Sequence, residues 1–262
     1  MRDFAEILSS VRGRIDAACA RTGRTPGDVK IVAVTKTHGA EVVEEAWSNG
    51  LAIIGENKVQ EAAWKKGMSV SGPQWHLIGH LQGNKVRQAL GLFDMIHSVD
   101  SAKLADRIEA VAEECGYSPR ILLEVNVSGE KSKSGLAPSE VAAVLEHIAA
   151  GCPRITVEGL MTMAPFSPNP EDARPHFRAL RELRDRLEST TGARLPELSM
   201  GMSGDFEVAV EEGATFVRLG TVLFGERPKL KAVRASSDDG GGAPSGGLDS
   251  YSGAGPTVRV LD

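Results

Sequence analysis

A lysine closing a short apolar run is the first residue of this 262-residue chain that could do covalent chemistry. The run Ile31-Val32-Ala33-Val34-Thr35 reads as a buried strand and delivers Lys36 and then Thr37 at its end. Desolvation lowers a lysine pKa from ~10.4 toward the range where the free amine is a nucleophile. An ordinary solvated lysine fits the same position, so other residues must decide. Two further stretches bear on it. Ser199-Met200-Gly201-Met202-Ser203-Gly204-Asp205 and Arg218-Leu219-Gly220-Thr221 both put small hydroxyl and glycine residues where a strand hands over to a helix. Free backbone N–H groups and the positive helix end favour an anion there, although caps and turns use the same residue types. A phosphorylated aldehyde bound as an imine would satisfy both the lysine and the anion cradle, with Arg218 directed at its ring. Asp205 stands where the last glycine of a GxSxG nucleophile elbow would be, which disfavours a hydrolase.

The elements that must bring these residues together alternate. After a helix over 3–21, strands are expected at Ile31–Thr35, Leu51–Ile54, Trp75–Ile78, Met95–Val99, Ile121–Val127, Ile155–Met161, Leu198–Met200 and Phe216–Leu219. Between them lie amphipathic stretches: one carrying Val42, Val43, Ala46 and Trp47, one from Lys58, a short one from Lys85, then 101–114, 139–149, 171–189 and 206–211. Strands apolar on both faces, each followed by helical sequence, predict an α/β fold: a single TIM-type (β/α)8 barrel with an added N-terminal helix. An open doubly wound sheet is the competitor, but no GxGxxG or GxxxxGK follows any strand. In a barrel the strand exits share one face, and the loops after strands 7 and 8 commonly bind phosphate. From Lys229 the sequence turns to Gly, Ser, Pro and Asp, so the expected organisation is a barrel over 1–228 and a flexible, disordered tail over 229–262.

Composition narrows the function classes. Thirty basic against 35 acidic residues give a net charge of -5, which does not suit a nucleic-acid partner. No apolar run approaches the ~20 residues that span a bilayer, and the N-terminus has no signal-peptide core, so a cytoplasmic protein without a membrane partner is expected. Cys19, Cys115 and Cys152 form no CxxC pair and read as small buried hydrophobes in a reducing compartment. The Asn126-Val127-Ser128 sequon is then accidental. His76 and His80 bracket the exit of the third strand without a third ligand, so no metal site is expected. His38 and His97 are candidate mouth residues, whereas His147 and His176 belong on helix surfaces.

An ordered series of motifs goes further. AVTKTH (33–38), IGENKVQE (54–61), WHLIGHLQGNK (75–85), HSVD (97–100), VNVSGEKSKSG (125–135), GLMTM (159–163), LSMGMSGDFEVAV (198–210) and VRLGTVLFG (217–225) span nearly everything before the tail. With these, the chain resembles the pyridoxal phosphate homeostasis proteins, single-barrel binders of pyridoxal 5'-phosphate (PLP) similar to the N-terminal domain of bacterial alanine racemase. The resemblance implies that Lys36 holds PLP as an imine. It also implies that Ser203, Gly204, Gly220 and Thr221 hold the phosphate, that Arg218 faces the pyridine nitrogen, and that Asn57 and Met200 lie near the cofactor, with Met202 flanking. Lys133 is a candidate secondary PLP-capturing amine beside its plainer reading as a solvated loop lysine, and Asn84-Lys85 could assist entering anions.

An arginine offers donors only, so it leaves the pyridine nitrogen unprotonated and weakens the electron sink. Two readings then stand: a PLP buffer and carrier in vitamin B6 and amino-acid homeostasis, and a small amino-acid racemase. Racemisation of the alanine racemase kind needs a tyrosine opposite the lysine. Of the two tyrosines, Tyr117 precedes strand 5 at the wrong face and Tyr251 lies in the tail. The carrier reading is therefore preferred, with PLP-dependent apoenzymes as recipients and a monomer or weak dimer as the assembly. A Schiff-base aldolase acting on a sugar phosphate is the reading from another class.

Overall fold

The structure, a computed structural model, describes residues 3–130 and 133–226. Eight parallel strands close into a barrel in chain order: β1 (Lys30–Val34), β2 (Ile53–Glu56), β3 (Gln74–Leu77), β4 (Met95–Val99), β5 (Arg120–Glu124), β6 (Thr156–Met161), β7 (Glu197–Ser199) and β8 (Phe216–Leu219). Closure is made by β1 against β8, with Val32 beside Arg218. The helices are α1 (Phe4–Thr22), α2 (Glu41–Ser48), α3 (Val59–Met68), α4 (Val86–Leu90), α5 (Ala102–Cys115), α6 (Val141–Gly151), α7 (Arg174–Thr191), α8 (Phe206–Glu211) and α9 (Thr221–Phe224). The expected single barrel with an N-terminal helix is the observed one. All described residues fall in one compact unit, Met1–Pro228. The expected tail, with Tyr251, lies outside the described residues.

Alternation along each strand divides the apolar side chains into two cores. Outward-facing Ala33, Ile54, Trp75, Leu77, Ile96, Leu123, Leu198 and Val217 pack under the helices, together with Val43, Ala62, Leu104, Leu145, Phe177 and Ala209. Each large side chain buried there contributes about 1.5–3 kcal/mol. Inside the barrel, Val32, Val34, Ile53, Ile78, Met95, Leu122, Met161 and Phe216 form a second, smaller core. At the N-terminal end of the barrel the interior is charged: Lys30 pairs with Glu197 at 2.5 Å and sits over the Phe216 ring, and Arg120 pairs with Glu158. These pairs place charge at the end of the barrel opposite the strand exits.

The α1 helix packs outside the ring on α8 and α9. Phe4 stacks on Phe224 with centroids 5.5 Å apart, and Arg14 lies over Phe206 while pairing with Glu207 at 2.7 Å. Its amphipathic spacing (Phe4, Leu8, Val11, Ile15 buried) and the left-handed Gly23 that ends it explain why this segment is helical and where it stops. Because α8 and α9 follow the strands that carry the Ser203 and Gly220 turns, α1 braces that side of the mouth. Two expectations need correction. Cys115 is exposed at the end of α5, near Arg87, while Cys19 and Cys152 are buried. Strand 5 stops at Glu124: the Val125 N–H still donates to the Met161 carbonyl of β6, but the Asn126 N–H turns away to the Leu136 carbonyl at 2.9 Å.

Candidate functional site

A cavity of about 410 Å³ opens at the C-terminal mouth, within the range for small-molecule sites. It draws on Lys36 after β1, Asn57 after β2, the Met163–Ser167 loop after β6, Met202–Asp205 after β7, and Arg218, Gly220 and Thr221 from β8 onward. Of the eight residues expected around the cofactor, Lys36, Asn57, Ser203, Gly204, Arg218, Gly220 and Thr221 therefore meet in one place, delivered by strand exits distant in sequence. The exception is Met200, which is wholly buried in the outer core and does not line the cavity. Alternation explains it: Ser199 points inward, so Met200 points out. The soft apolar contact comes from Met202 instead, with Met163 and the fully projecting Phe166 on the rim.

The side of the cavity expected to hold an anion is built from turns. Ser203 Oγ accepts from the Val222 N–H at 3.2 Å, tying the β7 exit to the start of α9 and leaving the hydroxyl hydrogen to donate into the cavity. Asp205 Oδ1 accepts from the Met202 N–H at 2.6 Å, and burial pushes its carboxyl pKa up. At Gly220 an added Cβ would stand 3.2 Å from the Val34 carbonyl oxygen, so the β8 turn passes close against the β1 end.

Arg218 is buried and fixed by two bonds: Nη1 to Ser199 Oγ at 2.7 Å and Nη2 to the Thr162 carbonyl at 2.8 Å. Burial pulls its pKa down to about 10, with Asp205 and Glu124 opposing that pull, so it remains a cation at neutral pH. Below it runs a polar column that the apolar reading of the strands missed. His97 Nδ1 lies 2.9 Å from Ser199 Oγ, and His97 Nε2 lies 2.9 Å from His76 Nδ1. Both rings pack on Phe216 inside the barrel. Burial is the main reason that His76 titrates at only about 3, with Arg120 and Lys30 adding repulsion; burial, His76 and Arg218 hold His97 well below the ordinary value. Both imidazoles are therefore neutral. Arg218 can only donate, so Ser199 accepts from it and passes its own hydrogen to His97 Nδ1; His97 Nε2–H then donates to His76 Nδ1. Within the column this order leaves His76 Nε2 alone without a protein partner, whereas the reverse order would also strand the Ser199 hydroxyl hydrogen.

The histidine expectations are thereby revised. His97 is not a mouth residue but lies inside the barrel, and His76 is two strand positions below the exit, where it cannot converge with the exposed His80, which pairs with Asp100 at 3.3 Å. His38 lies at 5.7 Å from the Phe224 ring, and His147 is on a helix surface, paired with Asp106 at 2.6 Å. Asp106, His147 and Cys152 are the only group of three potential metal-ligating side chains among the described residues, and none lines the cavity. Tyr117 is half-exposed beside Gly91, at the end of the barrel opposite the mouth. Lys133 and Lys85 are half-buried and line no part of this cavity, although Lys85 lines a neighbouring polar one that shares Asn57.

Sequence reasoning also missed the group behind Lys36. Lys65 is completely buried on α3, and its Nζ donates to the Thr35 carbonyl (2.6 Å), Glu56 Oε1 (2.6 Å) and Glu61 Oε1 (2.9 Å). The available signal was a lysine on the buried stripe of α3, in step with Val59 and Ala62.

The family model described as "Alanine racemase, N-terminal domain" matches residues 8–228. The pyridoxal phosphate homeostasis protein of Aquifex aeolicus is 47% identical over 223 residues, covering 85% of this chain and 97% of its own. The human protein of that name is 42% identical over 243 residues, covering 86% of each. Among solved structures, PipY of Synechococcus elongatus with PLP bound superposes with a TM-score of 0.75 at 38% identity, over 85% of this chain and all of PipY.

Proposed function

Because the chain belongs to the pyridoxal phosphate homeostasis protein family, we propose that it binds PLP as an imine on Lys36 and acts as an intracellular buffer that delivers the cofactor to PLP-dependent apoenzymes. One observation carries this reading: a single cavity joins a lysine, a turn-built anion cradle and a buried arginine. The donor set fits the group. The Ser203 hydroxyl and the Gly204, Gly220 and Thr221 backbone suit a phosphate, Lys36 suits an aldehyde, and the Arg218 guanidinium suits a pyridine nitrogen that keeps its lone pair. Bound PLP supplies an aldehyde and a conjugated ring for reversible capture by amines.

The rest is the work of the chain. The Ser199 and Thr162 contacts hold Arg218 in one orientation, and its charge keeps a proton off the ring nitrogen, which disfavours aminotransfer and decarboxylation. Besides Lys36, the titratable side chains lining the cavity among the described residues are Asp205 and Arg218. No tyrosine lines the cavity among the described residues, Arg218 cannot act as a base, and Asp205 has one oxygen tied to the Met202 N–H, which disfavours two-base racemisation. The test is direct. Purified protein should acquire a yellow chromophore with PLP that borohydride fixes to Lys36, release PLP to an apoenzyme acceptor, and leave L-alanine and D-alanine unexchanged. Absence of the chromophore would remove the PLP reading, and racemisation lost in Lys36→Ala would replace the carrier with an enzyme.

A further inference from the structure

The reactive lysine sits on a turn that a β-branched residue would ordinarily refuse. Thr37, directly after Lys36, has φ +68°, the only positive φ outside glycine among the described residues. That left-handed conformation is costly for a threonine and persists where surrounding contacts over-determine it. Those contacts are present on both sides of Lys36. Before it, Thr35 is held twice: its carbonyl accepts from Lys65 Nζ at 2.6 Å, and its hydroxyl donates to Glu56 Oε1 at 2.5 Å. After it, the Thr37 N–H donates to Glu61 Oε1 at 2.6 Å.

Lys65 is the centre of the arrangement. An ammonium has three donors, and all three are used: Thr35, Glu56 and Glu61. Glu56 ends β2, while Glu61 and Lys65 are one turn apart on α3, so the three residues join the Lys36 turn to the neighbouring βα unit. Burying a lysine and a carboxylate together does little for stability relative to apolar packing, and what such a group does well is fix geometry. We propose that Lys65, with Glu56 and Glu61, is a positioning clamp that fixes the backbone on either side of Lys36, so that the Lys36 amine is presented to the cavity at imine-forming distance.

The proposal rests on the imine reading above, and two ligands separate them. PLP needs both the phosphate cradle and the lysine; pyridoxine 5'-phosphate, which has no aldehyde, needs the cradle alone. Glu61→Ala, a partly exposed position where folding is tolerant, should weaken PLP binding at least tenfold and leave pyridoxine 5'-phosphate binding unchanged. Glu61→Gln, which keeps the acceptor oxygen, should restore PLP affinity to within about threefold of wild type. Lys65→Met should behave as Glu61→Ala does, provided its far-UV circular dichroism is that of wild type. In the cofactor-free protein, hydrogen exchange at the Thr37 amide should be faster in Glu61→Ala than in wild type. An unchanged PLP-to-pyridoxine 5'-phosphate affinity ratio in Glu61→Ala, or an equal loss of both ligands, would overturn the clamp. Failure of the imine reading looks different: wild type itself would bind both ligands alike and retain nothing after borohydride, and the clamp would lose its purpose with it.

Discussion

Replacing His76 by asparagine offers a quantitative test of the polar column under the mouth. The amide keeps a polar atom near the Nδ1 position that faces His97 and removes the titration. Unfolded, an imidazole titrates near 6.5; folded, His76 titrates at about 3 because it is buried beside Arg120 and Lys30. Between those values the unfolded chain binds a proton that the native chain refuses. The contribution of a neutral His76 is thus fully present above about pH 6.5 and is lost as the pH falls toward about 3, at about 1.4 kcal/mol per pH unit. From about pH 8 to about pH 5 the loss is about 2 kcal/mol.

Glu56, Glu124 and Asp205 carry raised pKa values from burial, and they bind protons in the native state as the pH falls, which opposes the histidine effect. The absolute pH profile therefore mixes signs, but these carboxyls are common to wild type and His76→Asn, so they cancel in the difference. Urea unfolding of both proteins at about pH 8 and about pH 5 should show the wild-type advantage shrinking by about 2 kcal/mol at the lower pH. A constant difference would mean that His76 takes up its proton in the folded state. That would refute both its burial and the neutral donor order running up to Arg218.

Two further outcomes follow from packing and donor geometry. Ser203→Ala removes the oxygen that accepts the Val222 N–H and the hydroxyl proposed to donate to the phosphate, and should weaken pyridoxine 5'-phosphate binding about tenfold, the worth of roughly one hydrogen bond to a charged group; unchanged affinity in a fluorescence titration would move the phosphate elsewhere. Gly159→Ala places a Cβ only 1.8 Å from the Glu197 carbonyl oxygen across the β6–β7 pair and should cost about 3 kcal/mol or more in urea unfolding; a loss under about 1 kcal/mol would refute the register of those two strands by its sterics.

The barrel was legible because its signal is repetitive: eight short apolar runs separated by amphipathic stretches, each leaving the next strand parallel. Lys36 and the Ser203 and Gly220 turns were legible because they stand at strand ends, where a barrel collects its ligand residues. The column inside was not. In Trp75-His76-Leu77-Ile78 one histidine among three apolar neighbours does not break the strand pattern, and nothing local says that it will meet His97, from 21 positions on, or Ser199, from 102 beyond that. Met200 failed for the complementary reason. Its neighbourhood in sequence is all site, but a one-residue step along a strand reverses the face, and that parity belongs to the closed barrel rather than to the motif.

The same parity explains how one short strand end serves two tasks. Along β8, Phe216 and Arg218 face inward while Val217 and Leu219 pack beneath the helices. The ring core and the outer core thus fix the strand from both sides before Arg218 makes any polar contact. The Ser199 and Thr162 bonds then set the orientation of its guanidinium. On β1 the logic is inverted: Lys36 lies past the last strand residue, and the backbone on either side of it is fixed by the Lys65, Glu56 and Glu61 contacts. A cation is thus built into the barrel wall, whereas the amine is carried on a turn that the neighbouring βα unit braces. On the proposed PLP reading, reversible capture of an aldehyde would suit that division, since Arg218 would keep the surroundings of the ring constant while the bond at the amine changed.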